Sequence, residues 1–148
     1  MRLVGPVAAR PAEALPPRAE RAPSHPALQL LSLLQREGRL IDFLEQDIAS
    51  FPDADVGVAA RVVHEGCRRA LRSHATLSAV RAEEEGASVV LAPGFDADQV
   101  KLVGDVRGAP PYAGVLRHRG WRVEKLELPE VVGAHDARIV AAAEVEIA

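Results

Sequence analysis

Three imidazole or thiol side chains, of types that bind zinc, lie close together over residues 64–74: His64, Cys67 and His74. On a helix turning about 100° per residue, His64 and Cys67 lie about 60° apart, and Cys67 and His74 about 20° apart. Imidazole and thiolate groups on one helix face could hold zinc if a fourth ligand came from elsewhere. The spacing matches no zinc motif, however, and Cys67 and His74 fall within an apolar stripe, where a free cysteine behaves as a small hydrophobe. The pattern therefore favours core packing, and we expect neither a metal nor another cofactor.

A second group of residues is basic and could contact phosphates or acidic side chains. One set lies opposite the apolar stripe of the same predicted helix, diluted by Glu65, and comprises Arg61, Arg68, Arg69 and Arg72. The other set surrounds the only tryptophan and comprises Arg117, His118, Arg119, Trp121 and Arg122. Arginine and tryptophan often dominate the energy of protein interfaces, so the second set predicts a protein-contact site. Two alternatives stay open: an ordinary hairpin with Trp121 in the core, and nucleic-acid binding by these basic residues.

Signatures of catalysis are missing from the sequence. There is no G-x-x-x-x-G-K-[ST] or G-x-G-x-x-G loop that would cradle a phosphate, and no G-x-S-x-G nucleophile elbow. Cys67 within a helical stripe is poorly placed as a nucleophile. We therefore expect a protein that is not an enzyme, with no catalytic residues.

The spacing of the apolar residues changes once, near His74, and this change predicts which secondary-structure elements position these residues. Apolar residues from Pro26 to His74 recur every three or four positions, which is typical of one side of a helix. Ser24 and Pro26 predict a first helix that Gly38 closes in a left-handed conformation. A second helix extends to about Ile48, and a third runs from about 54 to 73 with Asp53 as its N-cap.

After residue 74 the apolar residues mostly recur at every second position, which predicts short strands. The segments with this pattern are 89–91, 100–107, 112–116, 121–128 and 139–147. Residues 117–120 predict a hairpin turn, and a slip in apolar parity between Val123 and Leu126 predicts a bulge. Together these patterns predict an α+β fold of three N-terminal helices followed by a small antiparallel sheet or barrel of four or five strands.

Length and composition set the domain organisation. Residues 1–23 hold five of the 11 prolines and predict a disordered Pro/Ala-rich arm. Residues 24–148 predict a single α+β domain, with a helical part over 24–74 and a β part over 75–148. The net charge of −3 makes nucleic acid and anionic membrane unlikely general partners. With one cysteine and no apolar run long enough to span a membrane, we expect a soluble, cytoplasmic protein.

Four segments and the closing 143–146 stretch carry a family resemblance that covers about residues 26–148. The four segments are 27–45 (ALQLLSLLQREGRLIDFLE), 62–71 (VVHEGCRRAL), 94–96 (GFD) and 114–121 (GVLRHRGW). In these the chain resembles the bacterial domain-of-unknown-function family numbered 2760, which has no assigned activity. The resemblance implies genes that are often encoded beside DnaK-type chaperone-like ATPases. We therefore expect a non-catalytic accessory or adaptor protein that binds a protein partner, with a DnaK-type chaperone-like protein as the candidate.

Overall fold

A computed structural model describes residues 25–129 and 135–148, so the predicted arm over 1–23 and the cap at Ser24 lie outside the described residues. The chain is a mixed helical and β protein, as predicted. Within the described residues the elements are three helices, α1 (His25–Gly38), α2 (Leu40–Glu45) and α3 (Asp53–His74), and four strands, β1 (Ala75–Ala79), β2 (Ser88–Leu91), β3 (Tyr112–Val115) and β4 (Trp121–Leu126).

The three predicted helices are confirmed, and α1 packs against α3 through two glycines. A Cβ added to Gly66 would lie 2.6 Å from the Gly38 Cα, and one added to Gly38 would lie 2.7 Å from the backbone nitrogen of Cys67. Neither distance leaves room for a side chain. The two helices therefore approach backbone to backbone, with Leu33 and Ala70 buried beside the contact.

The junction between α1 and α2 corrects one prediction about Gly38. Arg39, and not Gly38, adopts the left-handed conformation, with φ of 54°. Gly38 is a glycine because α3 lies against it. Arg39 has no capping side-chain bond to α2; instead the buried Gln35 accepts hydrogen bonds through Oε1 from the backbone nitrogens of Ile41 at 2.9 Å and Asp42 at 3.3 Å. A side chain of α1 thus supplies the acceptor that the first turn of α2 needs.

Two helix boundaries also differ from the prediction. The second helix ends at Glu45, short of Ile48. The third begins at Asp53, with Pro52 as its N-cap residue, so Asp53 lies inside the first turn. A carboxylate there still interacts favourably with the positive end of the helix dipole.

The β part is a pair of two-stranded antiparallel sheets, so the prediction of a single sheet or barrel was too specific. β1 pairs with β4, and β2 pairs with β3. The predicted hairpin across residues 117–120 is wrong, because β3 and β4 follow each other in sequence without pairing. Backbone bonds from Val80 to Gly120 (3.2 Å) and from Leu116 to Ala87 (2.9 Å) extend the two ladders toward each other. The segment 75–91 therefore runs antiparallel to 112–126 as one interrupted ribbon.

Strand content differs from the prediction in three places. Strand β1 was not predicted, and it continues directly from the end of α3. The alternating segments 100–107 and 139–147 were predicted as strands but form none in the structure. Gly104 and Gly108 both have positive φ, of 93° and 75°, and this conformation turns the first of these segments into a loop.

The predicted bulge is confirmed in β4. Thr76 lies opposite Lys125 and Leu77 lies opposite Val123, so Glu124 is the extra residue. After this extra residue, the even-numbered residues of β4 point to the face that the odd-numbered residues occupied before it. As a result Leu126, opposite Ala75, lies on the same face of the sheet as Val123 and Trp121.

Candidate functional site

Arg119 fills the interruption in the β ribbon. Its guanidinium donates hydrogen bonds to the backbone oxygens of Arg81 and Ala82, both at 3.2 Å, and lies 3.7 Å from a carboxylate oxygen of Glu84. Arg81 in turn is paired with Glu83. A hydrogen bond from its own backbone N–H, followed by the pairing with Arg81, lowers the pKa of Glu83. Arg119 is thus already engaged within the chain and joins the two halves of the ribbon.

Trp121 lies at the start of an apolar sheet face that nothing covers among the described residues. Its side chain is 70% exposed, although tryptophan is the largest apolar side chain in the chain. Leu77, Val123 and Leu126 share this face at neighbouring register positions and are also exposed. We call these four residues the Trp121 face. The alternative in which Trp121 packs into the core does not agree with this exposure.

Arg122 lies on the opposite face of β4. Its Nη2 donates to Oε1 of Gln99 at 3.2 Å, and its Nε lies 3.9 Å from Glu124. Glu124 also accepts a hydrogen bond of 2.6 Å from the Ser78 hydroxyl. Arg122 therefore connects the sheet to the loop that follows β2.

The five predicted contact residues therefore do not form one surface. Trp121 and Arg122 lie on opposite faces of β4, and Arg119 is bonded inside the ribbon. Arg117 and His118 are exposed on the connection that leads into β4. Of these two, His118 accepts a bond at Nδ1 from the backbone nitrogen of Gly120 at 3.2 Å.

A groove of about 740 Å³ lies beside this connection, and it is lined by the whole of β3 and by the 99–107 segment. Apolar side chains from these two elements and from β2 line it, among them Leu91 of β2, Val100, Leu102 and Val115. Tyr112 holds the loop against β3: its hydroxyl donates to the Gly108 oxygen at 2.9 Å, and its ring meets Phe95 edge to face at 6.1 Å.

The groove is basic. Its lining holds five bases, namely Arg81, Lys101, Arg107, Arg117 and Arg119, against one acid among the described residues, Asp105. Three of these bases are paired: Arg81 with Glu83, Arg107 with Asp105 at 2.7 Å, and Arg119 with Glu84. Within the described part of the chain, Lys101 and Arg117 have no carboxylate partner. A ligand with two negative charges would therefore complement the groove.

Sequence reasoning missed this groove. Lys101 and Arg107 fall in the segment 100–107, which was predicted as a strand, and the predicted hairpin turn at 117–120 paired β3 with β4. Gly104 and Gly108 are visible in the sequence, and glycines at this spacing could have indicated that residues 100–108 form a loop.

Of the four arginines of α3 predicted to lie opposite the apolar stripe, Arg69 instead lies beside α1. Arg61, Arg68 and Arg72 are exposed on the side of the helix away from α1, and none of the three forms an ion pair within residues 25–129 and 135–148. Arg69 lies 3.7 Å from a carboxylate oxygen of Glu37 on α1.

His64, Cys67 and His74 on α3 differ in their burial and in the groups that they contact. Cys67 is half-buried against α1, with its sulfur 3.9 Å from the Leu34 oxygen, and burial raises the pKa of its thiol. His74 lies with Nδ1 3.1 Å from the Glu127 oxygen, whereas His64 is exposed. Cys67 thus packs between helices, as the sequence favoured.

Fold and surface together define a small α+β protein with an open apolar sheet face and a basic groove. Residues 23–146 match a family described as Domain of unknown function (DUF2760), and the chain belongs to this family, as its sequence predicted. Neither the curated proteins nor the solved structures contain a match. Among the described residues, no helix is both long enough and apolar enough to cross a membrane.

Proposed function

We propose that this protein is a non-catalytic interaction protein and that its partner binds at the Trp121 face. The observation that carries the proposal is the 70% exposure of Trp121 in a row of apolar neighbours. Burying such a row contributes roughly 25 cal/mol per Å² of apolar surface removed from water. Aromatic anchors of this kind often dominate binding energy.

The partner class we propose is a DnaK-type chaperone-like ATPase, which is the class implied by the family resemblance. A protein of this class changes conformation with its nucleotide, so an adaptor that recognises one conformation binds in a nucleotide-dependent manner. This dependence separates the proposed partner from proteins that adhere to any exposed apolar surface.

The experiment is a pull-down of the tagged chain from its native host, with and without ATP, read by mass spectrometry. Trp121→Ala is compared with Val58→Ala, which truncates another largely exposed apolar side chain, on α3. We expect nucleotide-dependent recovery of a DnaK-type protein that Trp121→Ala loses and Val58→Ala retains. Equal recovery by both variants would exclude the Trp121 face as the binding surface.

Nucleic-acid binding is the second candidate, and the observation that favours it is the exposed arginine row on α3. Arg61, Arg68 and Arg72 project from one side of a 22-residue helix and could each contact a phosphate. Such binding weakens linearly with the logarithm of salt concentration, by a slope of about 0.7–0.9 per phosphate contact. Fluorescence anisotropy with labelled DNA and RNA would measure that slope, and Arg→Gln substitution at these three positions should reduce it.

A further inference from the structure

We propose that the groove beside β3 receives the 139–148 segment of a second copy of the chain as an added strand. The groove and the segment are each incomplete in the single chain, and their chemistry is complementary. This self-association uses a surface other than the Trp121 face, so it can fail or hold independently of the proposed function.

The 139–148 segment has the sequence of a strand but no strand partner. Ile139, Ala141, Ala143, Val145 and Ile147 alternate with other residues, as expected for a strand with one apolar face. In the structure the segment forms no strand, and Val145 and Ile147 are 78% and 86% exposed. Pairing with an open sheet edge would satisfy its backbone and bury its apolar side chains.

The outer edge of β3 offers such a pairing site. Leu116 directs its N–H to Ala87 and accepts at its oxygen from Gly86, so it faces the ribbon partner. Because antiparallel residues face their partner alternately, Gly114 and Tyr112 also face β2, and the backbone groups of Ala113 and Val115 point away. No other described segment bonds to these outward groups. An extended chain lying in the groove would pair with them.

Charge complementarity favours this segment as the occupant. Residues 139–148 carry two acids, Glu144 and Glu146, and no base. Lys101 and Arg117 are the two groove bases without a carboxylate partner in the described chain. Apolar positions of the segment would rest on the aliphatic lining while its two carboxylates neutralise the two bases.

The position of the segment in its own chain favours a second copy over an intrachain arrangement. The Ser32 hydroxyl donates to the Val140 oxygen at 2.7 Å and so anchors the start of the segment on α1. None of residues 139–148 lines the groove of its own chain. Two copies that exchange these segments would form two equivalent contacts about a twofold axis, which closes the assembly as a dimer.

Sedimentation velocity on the full chain from about 1 to 100 µM tests the dimer, since this range brackets a micromolar dissociation constant. We expect a monomer–dimer equilibrium. The double variants Lys101→Glu/Arg117→Glu and Glu144→Lys/Glu146→Lys should each weaken the dimer at least tenfold. Mixing the two variants should restore a heterodimer, because each groove then meets a segment of opposite charge. Circular dichroism of each variant checks that the fold is retained.

Hydrogen exchange at the Ala113 and Val115 amides identifies the occupant. We expect fast exchange in dilute monomer and protection that grows with the dimer fraction. Protection in a purely monomeric chain would place its own segment in the groove, and a monomer with unprotected amides at every concentration would leave the groove to a foreign partner. Either result, or a dimer that neither charge reversal weakens, overturns the proposal.

Discussion

Trp121 makes a residue-level prediction about stability. Because its side chain is largely exposed, Trp121→Ala should change the free energy of unfolding by less than about 1 kcal/mol. Leu91→Ala is the matched control: Leu91 is buried in the neighbouring sheet, and its truncation should cost about 2–5 kcal/mol. Urea denaturation followed by circular dichroism measures both. A loss from Trp121→Ala as large as that from Leu91→Ala would assign the tryptophan to a core.

Cys67 makes a second prediction, which concerns reactivity. Burial against α1 raises the pKa of its thiol, and the thiolate is the reactive form. We expect its reaction with a disulfide reagent near pH 8 to be at least about tenfold slower in the folded chain than in denaturant. Since the folded state holds this proton more tightly, the free energy of unfolding should fall as the pH rises through the ordinary thiol pKa toward the raised one. Equal rates in the two states would show that the sulfur is accessible.

The two glycines on α3 differ in their surroundings, and this gives a prediction at the level of the helix pair. Gly66→Ala would place a methyl group against the α1 backbone, so we expect a net loss of about 1–3 kcal/mol. Gly57 has nothing within 4 Å of an added Cβ, so Gly57→Ala should stabilise the helix by about 0.5–1 kcal/mol. Thermal unfolding of both variants measures the difference. If both substitutions stabilise the chain, the close approach of α1 and α3 is wrong.

Prediction from sequence succeeded for the elements that local information determines. Each helix carries its own apolar stripe, so α1, α2 and α3 could be located before their contacts were known. The bulge at Glu124 was also predictable, since it shows as a change of parity within one strand. The close approach at Gly38 was not, because the reason for that glycine is a residue 28 positions later, Gly66.

Strand pairing was predicted poorly because it depends on residues distant in sequence. Residues 117–120 have the composition of a turn, yet the strands on either side pair with β1 and β2, which precede them by more than 20 residues. β1 itself has little local signal beyond the end of α3. The 139–147 alternation predicted a strand, but this segment pairs with no strand among the described residues, because alternation alone does not specify a pairing partner.

The candidate site was predicted in part for the same reason. Trp121 was identified by residue type alone, and its exposure agrees with a contact role. The placement of Trp121 and Arg122 on opposite faces follows from the alternation of a strand and could be deduced from the predicted strand 121–128. The position of Arg119 could not be deduced, because it follows from the interruption of the ribbon. Lys101 and Arg117 form one basic groove only through the fold of the 99–107 loop.

At the scale of the whole molecule, the helical part and the β ribbon have separate small cores. Leu33 and Ala70 are buried between α1 and α3, whereas Leu91 and Leu116 are buried in the ribbon. The helix-to-strand contact is concentrated where α3 continues into β1, supported by the bond from Glu127 to the His74 oxygen at 2.8 Å. Little apolar surface therefore couples the two parts.

This division predicts unequal stability across the chain. Regions with few buried apolar contacts open at lower free energy than the rest. We expect the amides of α1 and α3 near the Gly38–Gly66 contact to exchange at least about tenfold more slowly than those of the β2–β3 sheet. Native-state hydrogen exchange read by NMR measures this, with Gly66→Ala as the matched perturbation. That substitution should accelerate exchange in the helices and leave the β2–β3 amides unchanged, whereas equal acceleration everywhere would mean that the two parts unfold as one unit.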